Sequence, residues 1–171
     1  MSGNTGLHAK EIECLVSRFV LGVRWLGVFA RDELPDLIRE SRPWCLILNT
    51  DPKVQPGTHW LALYAPRPGP IELFDSVGFS PINYSLNSLN LLHLEYPIQS
   101  PNTSVCGHYC IVYIYLRSRN KSLSKFIYLL LNISNRNFWV KRYIHNLQNL
   151  FPILKPCHCT GQCCRLKCQF C

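Results

Sequence analysis

The run CIVYIYL, Cys110–Leu116, has no polar face at helical spacing. A helix that is apolar all round must be buried all round, so this segment predicts a central helix with other layers packed about it. The helical pattern covers about 104–117, and two further helices are predicted at 122–132 and 136–150. Upstream the pattern changes. WCLILNT (Trp44–Thr50) is a continuous apolar run that reads as a buried strand, and the Pro/Gly turn DPKVQPG follows it. THWLALYA and PIELFDS read as two more strands joined by the tight connection PRPGP, and LLHLEYPIQ as a fourth candidate. Leu7, Ile12, Leu15, Val16 and Phe19 recur at helical spacing and predict a short first helix. RWLGVFARDELPDL breaks at Gly27 and Pro35 into an extended piece and a turn, and GFSPINYSLNSLN reads as a loop or weak helix. Strands first and helices afterwards predict an α+β fold, with a mixed or antiparallel sheet packed on the central helix and further C-terminal helices.

The 171 residues suit one domain over 1–155 with a Cys-rich tail over 156–171. A hydrophobic fraction of 47% supports a packed core, and 16% charge argues against disorder. The N-terminus lacks a basic segment followed by an apolar run, and no apolar stretch reaches the roughly 18 residues that a bilayer span requires. The expectation is an intracellular protein, not secreted, with no membrane span and with Cys14, Cys45, Cys106 and Cys110 as free thiols. The net charge of +8 is segregated: residues 1–116 hold 8 Lys/Arg and all 10 Asp/Glu, and residues 117–171 hold 10 Lys/Arg and no acid. Such segregation predicts a surface that meets polyanion, most simply nucleic acid, through Arg117, Arg119, Lys121, Lys125, Arg136, Lys141 and Arg142. A solvated basic helix pair with no partner is the alternative.

The chemistry concentrates in QSPNTSVCGHYC, Gln99–Cys110. A cysteine at the start of a helix lies at the positive end of the helix dipole, among backbone N–H groups that can also hold a developing oxyanion. Cys106 is therefore the candidate nucleophile, with Ser104 or Thr103 as a helix cap and Gly107 leaving room for substrate backbone. A thiol nucleophile needs a base, and the base needs an orienting group. His59 stands at the head of one strand and Asp75 at the end of the next, where a hairpin can bring them side by side. Gln99 can fold back over the helix start and donate to an oxyanion. Each of these residues taken alone could equally be structural.

Taken in order, THWLALY, ELFDSVGFSP and QSPNTSVCGHYC resemble the adenovirus-type cysteine protease family, the adenain-like enzymes. That family runs His-Trp, an acidic residue, then Gln-x6-Cys-Gly; LGVFARDELP and CLILNT resemble its upstream segments, so the similarity covers roughly residues 12–117. The resemblance implies the adenain/SUMO-protease-like fold and a thiol endopeptidase, with His59 as general base, Asp75 as its orienting carboxylate, Cys106 as nucleophile and Gln99 as oxyanion donor. Trp60 and Gly107 would border the substrate. Family substrates are virion or capsid precursors cut beside glycine or another small residue. No cofactor is required for the chemistry. DNA or a peptide would serve as activator, and the location would be the virion or host nucleus. Two positions depart from the family. Asp75 stands where adenoviral enzymes usually carry glutamate, and Ser88 stands where they carry the cysteine that tethers an activating peptide by disulfide.

The tail CHCTGQCCRLKCQFC lies outside that similarity. Cys157, Cys159, Cys168 and Cys171 offer thiolates for one tetrahedral zinc, without the two separated C-x2-C pairs of a zinc ribbon. Lipidation and an oxidisable tail with no dedicated role are the alternatives. For the whole chain, two other functions compete: a SUMO- or ubiquitin-like isopeptidase, and a nucleic-acid-binding protein that retains an inactive protease fold.

Overall fold

A computed structural model of the protein describes residues 6–37, 39–55, 57–86 and 89–151. Five strands, β1 (Arg24–Phe29), β2 (Trp44–Asn49), β3 (Trp60–Ala65), β4 (Ile71–Phe74) and β5 (Leu91–His93), form one sheet in that order. The central pairs β2/β3 and β3/β4 are antiparallel, and the outer pairs β1/β2 and β4/β5 are parallel. Four helices accompany them: α1 (Ala9–Phe19), α2 (Cys106–Arg117), α3 (Leu123–Leu131) and α4 (Arg136–Leu150). This is the expected α+β architecture, in its mixed-sheet form.

Every residue of β2 and β3 is buried. Because successive strand residues point to opposite faces, burial on both faces requires the continuous apolar runs that mark these strands in the sequence. Cys45, Ile47, Trp60, Ala62 and Tyr64 face α2 and α1. Trp44, Leu46, Leu48, Leu61, Leu63 and Ala65 face a second core closed by Leu37, Tyr84 and Leu86. Ten of the twelve α2 residues are buried, so the helix is central as its composition predicts.

One polar cluster lies inside this apolar frame. Glu72 of β4 accepts from Arg117 Nε at 2.7 Å, from Arg117 Nη2 at 2.9 Å and from the Tyr113 hydroxyl at 2.7 Å. The Arg117 guanidinium also lies over the Tyr64 ring, 4.4 Å from its centroid. These contacts fasten the C-terminal end of α2 to the sheet.

Two expectations need revision. The fourth strand candidate ends early: β5 stops at His93, and Gly78 presses against the backbone of Tyr96 and Pro97, so the chain leaves the sheet there. Neither Ser104 nor Thr103 caps α2; its cap position is Val105, with no side-chain cap hydrogen bond. Thr103 instead donates to the Ser100 carbonyl at 2.7 Å, within the turn that precedes the helix. Among the described residues, no helix is long and apolar enough to cross a membrane.

Candidate active site

The hairpin β3/β4 carries two of the four predicted residues. His59 precedes β3 and Asp75 follows β4, and the antiparallel register that pairs Ala62 with Phe74 brings their ends together. His59 Nε2 and Asp75 Oδ1 lie 2.7 Å apart. Cys106 lies close enough to the His59 ring to raise its pKa, and with Nε2 taken by Asp75 the ring nitrogen left for the sulfur is Nδ1. Burial alone would lower the pKa of His59. The hydrogen bonds and charges of Asp75 and Cys106 outweigh it and raise the value to about 9.

Asp75 is 5% exposed, which makes its hydrogen bonds decisive. Oδ1 accepts from Val77 N at 2.8 Å in addition to His59, and Oδ2 accepts from Phe79 N at 3.0 Å and the Tyr84 hydroxyl at 2.7 Å. Burial raises its pKa, but His59 first, then Tyr84 and the Val77 N–H, bring it below the ordinary value. The carboxylate is thus held charged and fixed in rotation. The Tyr84 ring also stacks on His59, with centroids 6.2 Å apart. Gly78, at φ +79°, makes the turn that aims the flanking N–H groups at Asp75, and a Cβ there would lie 2.5 Å from the Tyr96 carbonyl carbon.

Gln99 is clamped from two sides. The Ser76 carbonyl accepts from Ile98 N and Gln99 N, both at 2.9 Å, and the Ser76 hydroxyl donates to Gln99 Oε1 at 2.8 Å. Gln99 Nε2 donates to the Thr103 carbonyl at 2.5 Å. The amide is oriented with its oxygen held by Ser76 and one N–H by Thr103, which leaves a second amide proton to offer. Cys106, His59, Tyr84, Gln99 and Thr103 line one cleft of about 1140 Å³, and Cys106 is 7% exposed within it.

Trp60 borders the same cleft and also a neighbouring one of about 610 Å³, and its Nε1 donates to the Leu7 carbonyl at 3.0 Å. Gly107 does not serve the substrate-facing role expected of it. It is buried, and a Cβ there would meet Ile12 Cδ1 at 3.2 Å and Trp60 Cδ1 at 3.3 Å, so its smallness lets α2 pack against α1 and Trp60. Sequence reasoning missed Ser76 and Tyr84. Ser76 follows Asp75 directly, and the DSVG turn in which it lies was the available signal.

A thiol coupled to an imidazole–carboxylate pair, beside a tethered amide, is the layout of a cysteine hydrolase. The comparisons narrow that class. The family model described as adenovirus endoprotease matches residues 25–89, a stretch that contains His59 and Asp75 and ends before Gln99. The protease of Bovine adenovirus B serotype 3 is 25% identical over 131 residues, covering 64% of this chain and 64% of the relative. That of Ovine adenovirus D serotype 7 is 28% identical, covering 65% of each. That of Human adenovirus B serotype 3 is 28% identical over 134 residues, covering 67% of this chain and 63% of the relative. The chain is thus similar to adenovirus proteases, and it spans just under two thirds of the length of those three proteins.

The basic residues divide. Arg117 cannot reach phosphate as expected, because it is buried and paired with Glu72. Arg119 lies over the Tyr115 ring, 3.7 Å from its centroid, and donates to the Phe19 carbonyl at 3.3 Å. Arg136 donates to the Leu130 carbonyl at 2.9 Å. Lys121, Lys125, Lys141 and Arg142 are exposed on the C-terminal helical side. Among the described residues, Cys14, Cys45, Cys106 and Cys110 form no disulfide, and no group of metal-ligating side chains occurs. Ser88 and the predicted zinc ligands Cys157, Cys159, Cys168 and Cys171 lie outside the described residues.

Proposed function

We propose that this chain is a cysteine endopeptidase of a virus or virus-like mobile element that cleaves virion or capsid precursor proteins. The observation that supports the reading is His59, bonded to Asp75 at 2.7 Å and sharing one cleft with Cys106 and Gln99. In the reaction, the proton of the Cys106 thiol already resides on His59, as a thiolate–imidazolium pair, and the sulfur attacks the scissile carbonyl carbon. The carbonyl oxygen becomes an oxyanion, held by Gln99 Nε2 and the N–H groups at the start of α2, a contribution of about 3 kcal/mol per donor. His59 then gives its proton to the departing amine as the C–N bond breaks. Water, deprotonated by His59, attacks the acyl-enzyme, and collapse of the second tetrahedral intermediate returns the proton to sulfur as the acid product leaves. Asp75 keeps the imidazolium oriented throughout.

Glycine or another small residue beside the cut suits the family resemblance and a nucleophile that is only 7% exposed. The exposed basic residues Lys121, Lys125, Lys141 and Arg142, with Arg119 and Arg136 beside them, form the nucleic-acid contact, and the protein works in the virion or host nucleus. An activating peptide would bind without a disulfide at Ser88. Zinc in the tail is tested by metal content before and after truncation behind Pro156; equal content in both removes the tail as a site. The function itself is tested with wild type and Cys106→Ala on glycine-containing peptides, with and without DNA. Cleavage by wild type alone supports the reading. Cleavage of a SUMO fusion but of no precursor peptide would favour an isopeptidase instead.

A further inference from the structure

A hydrogen-bond chain connects Gln99 to the C-terminal half of the molecule. Gln99 Nε2 donates to the carbonyl of Thr103, whose hydroxyl donates to the Ser100 carbonyl at 2.7 Å. The same hydroxyl oxygen accepts from Asn137 Nδ2 at 3.3 Å, and Asn137 Oδ1 accepts from the Tyr109 hydroxyl at 2.8 Å. Tyr109 is fully buried in α2, and Asn137 lies in the first turn of α4, which Asn135 caps by accepting from Phe138 N. The polarity of the chain is set at both ends. Ser100 can only accept through its carbonyl, so the Thr103 oxygen is left to receive, and Asn137 must present its nitrogen there and its oxygen to Tyr109.

The turn held by this chain is otherwise largely exposed. Ser100, Pro101, Asn102 and Ser104 are exposed, and Asn102 adopts φ +56°. Ser76 fixes the oxygen of the Gln99 amide, but the direction of its nitrogen depends on where the Thr103 carbonyl sits. We infer that Asn137 is a positioning residue for the oxyanion donor, anchoring the turn to the buried face of α2 so that Gln99 Nε2 points at the reacting carbonyl. It touches neither substrate nor sulfur in this role. The inference rests on the endopeptidase reading for its kinetic consequence, while the tether itself is a property of the folded protein.

The test compares wild type, Asn137→Ala, Thr103→Val and Gln99→Ala, with Asn137→Ala also placed in the Gln99→Ala background. Asn137→Ala and Thr103→Val should each lower kcat about tenfold with little change in KM, a part of the loss expected when a donor is removed outright. Alkylation of Cys106 by iodoacetamide, which forms no oxyanion, should keep its wild-type rate in both. Asn137→Ala should cost nothing further once Gln99 is alanine. In nitrogen-15 spectra, the Gln99 side-chain amide signals should shift and exchange faster in Asn137→Ala. Unchanged amide signals, or a kcat loss as large in the Gln99→Ala background as in wild type, would overturn the inference. A Gln99→Ala variant as active as wild type would instead overturn the oxyanion role of Gln99, with the amide spectra still deciding whether Asn137 is its tether.

Discussion

Burial works against the charged form of His59, yet its neighbours raise its pKa from 6.5 to about 9. Mechanism and stability both inherit this shift. Proton donation to the leaving amine requires imidazolium, so peptide hydrolysis should fall as pH rises through about 9. Because the folded value lies above the unfolded one, the stability contributed by His59 is fully present below 6.5 and is lost as pH climbs to about 9. In Asp75→Asn, which removes the charge that raises the value, the alkaline limb of the pH–rate profile should move down toward 6.5. A limb that stays in place would show that Asp75 does not set it. His108 shifts the opposite way. Burial first, and the Lys141 charge second, lower it to about 4, which favours the neutral imidazole near neutral pH.

At the scale of elements, one glycine and one ion pair hold the site in register. Gly78→Ala would put a Cβ 2.5 Å from the Tyr96 carbonyl carbon at positive φ, so the turn must move and the Val77 and Phe79 N–H groups leave Asp75. Activity should drop about tenfold or more as the base loses its fixed orientation, measured as kcat on a cleaved peptide. Arg117→Ala leaves the Glu72 carboxylate buried without its main partner and should cost about 3–5 kcal/mol of stability, read from denaturant unfolding. Loss of activity without loss of stability would contradict that structural role. These elements were unequally legible in the sequence. The apolar runs of β2, β3 and α2 are continuous because each is buried on all sides, and that pattern survives in one dimension. His59, Asp75, Gln99 and Cys106 stood out in the sequence through their places at element ends together with the family resemblance, and the fold brings them near one another. Tyr84 and Asn137 did not stand out, since their partners lie 9 and 28 or more residues away and leave no local pattern. Arg117 misled because a basic residue in the last turn of a helix reads alike whether it meets solvent or a buried carboxylate.

Across the whole molecule, charge and chemistry occupy different territories. The acids end at Glu95, and the exposed cations Lys121, Lys125, Lys141 and Arg142 belong to the helical C-terminal side. Nucleic-acid affinity should therefore fall steeply with added salt, and glutamine at Lys141 and Arg142 together should flatten the log–log slope by about two. Absence of binding in a low-salt filter assay would remove nucleic acid from the account. The central claim is more local: the His59 imidazole takes the proton of Cys106. It is tested most directly by the rate at which iodoacetamide alkylates Cys106 at neutral pH in wild type and in His59→Ala, with the modified cysteine located by mass spectrometry. The account predicts fast, selective alkylation at Cys106 in wild type, and a rate lower by at least about tenfold without the imidazole. Equal rates in the two proteins, or a wild-type Cys106 no more reactive than the other buried thiols, would contradict it.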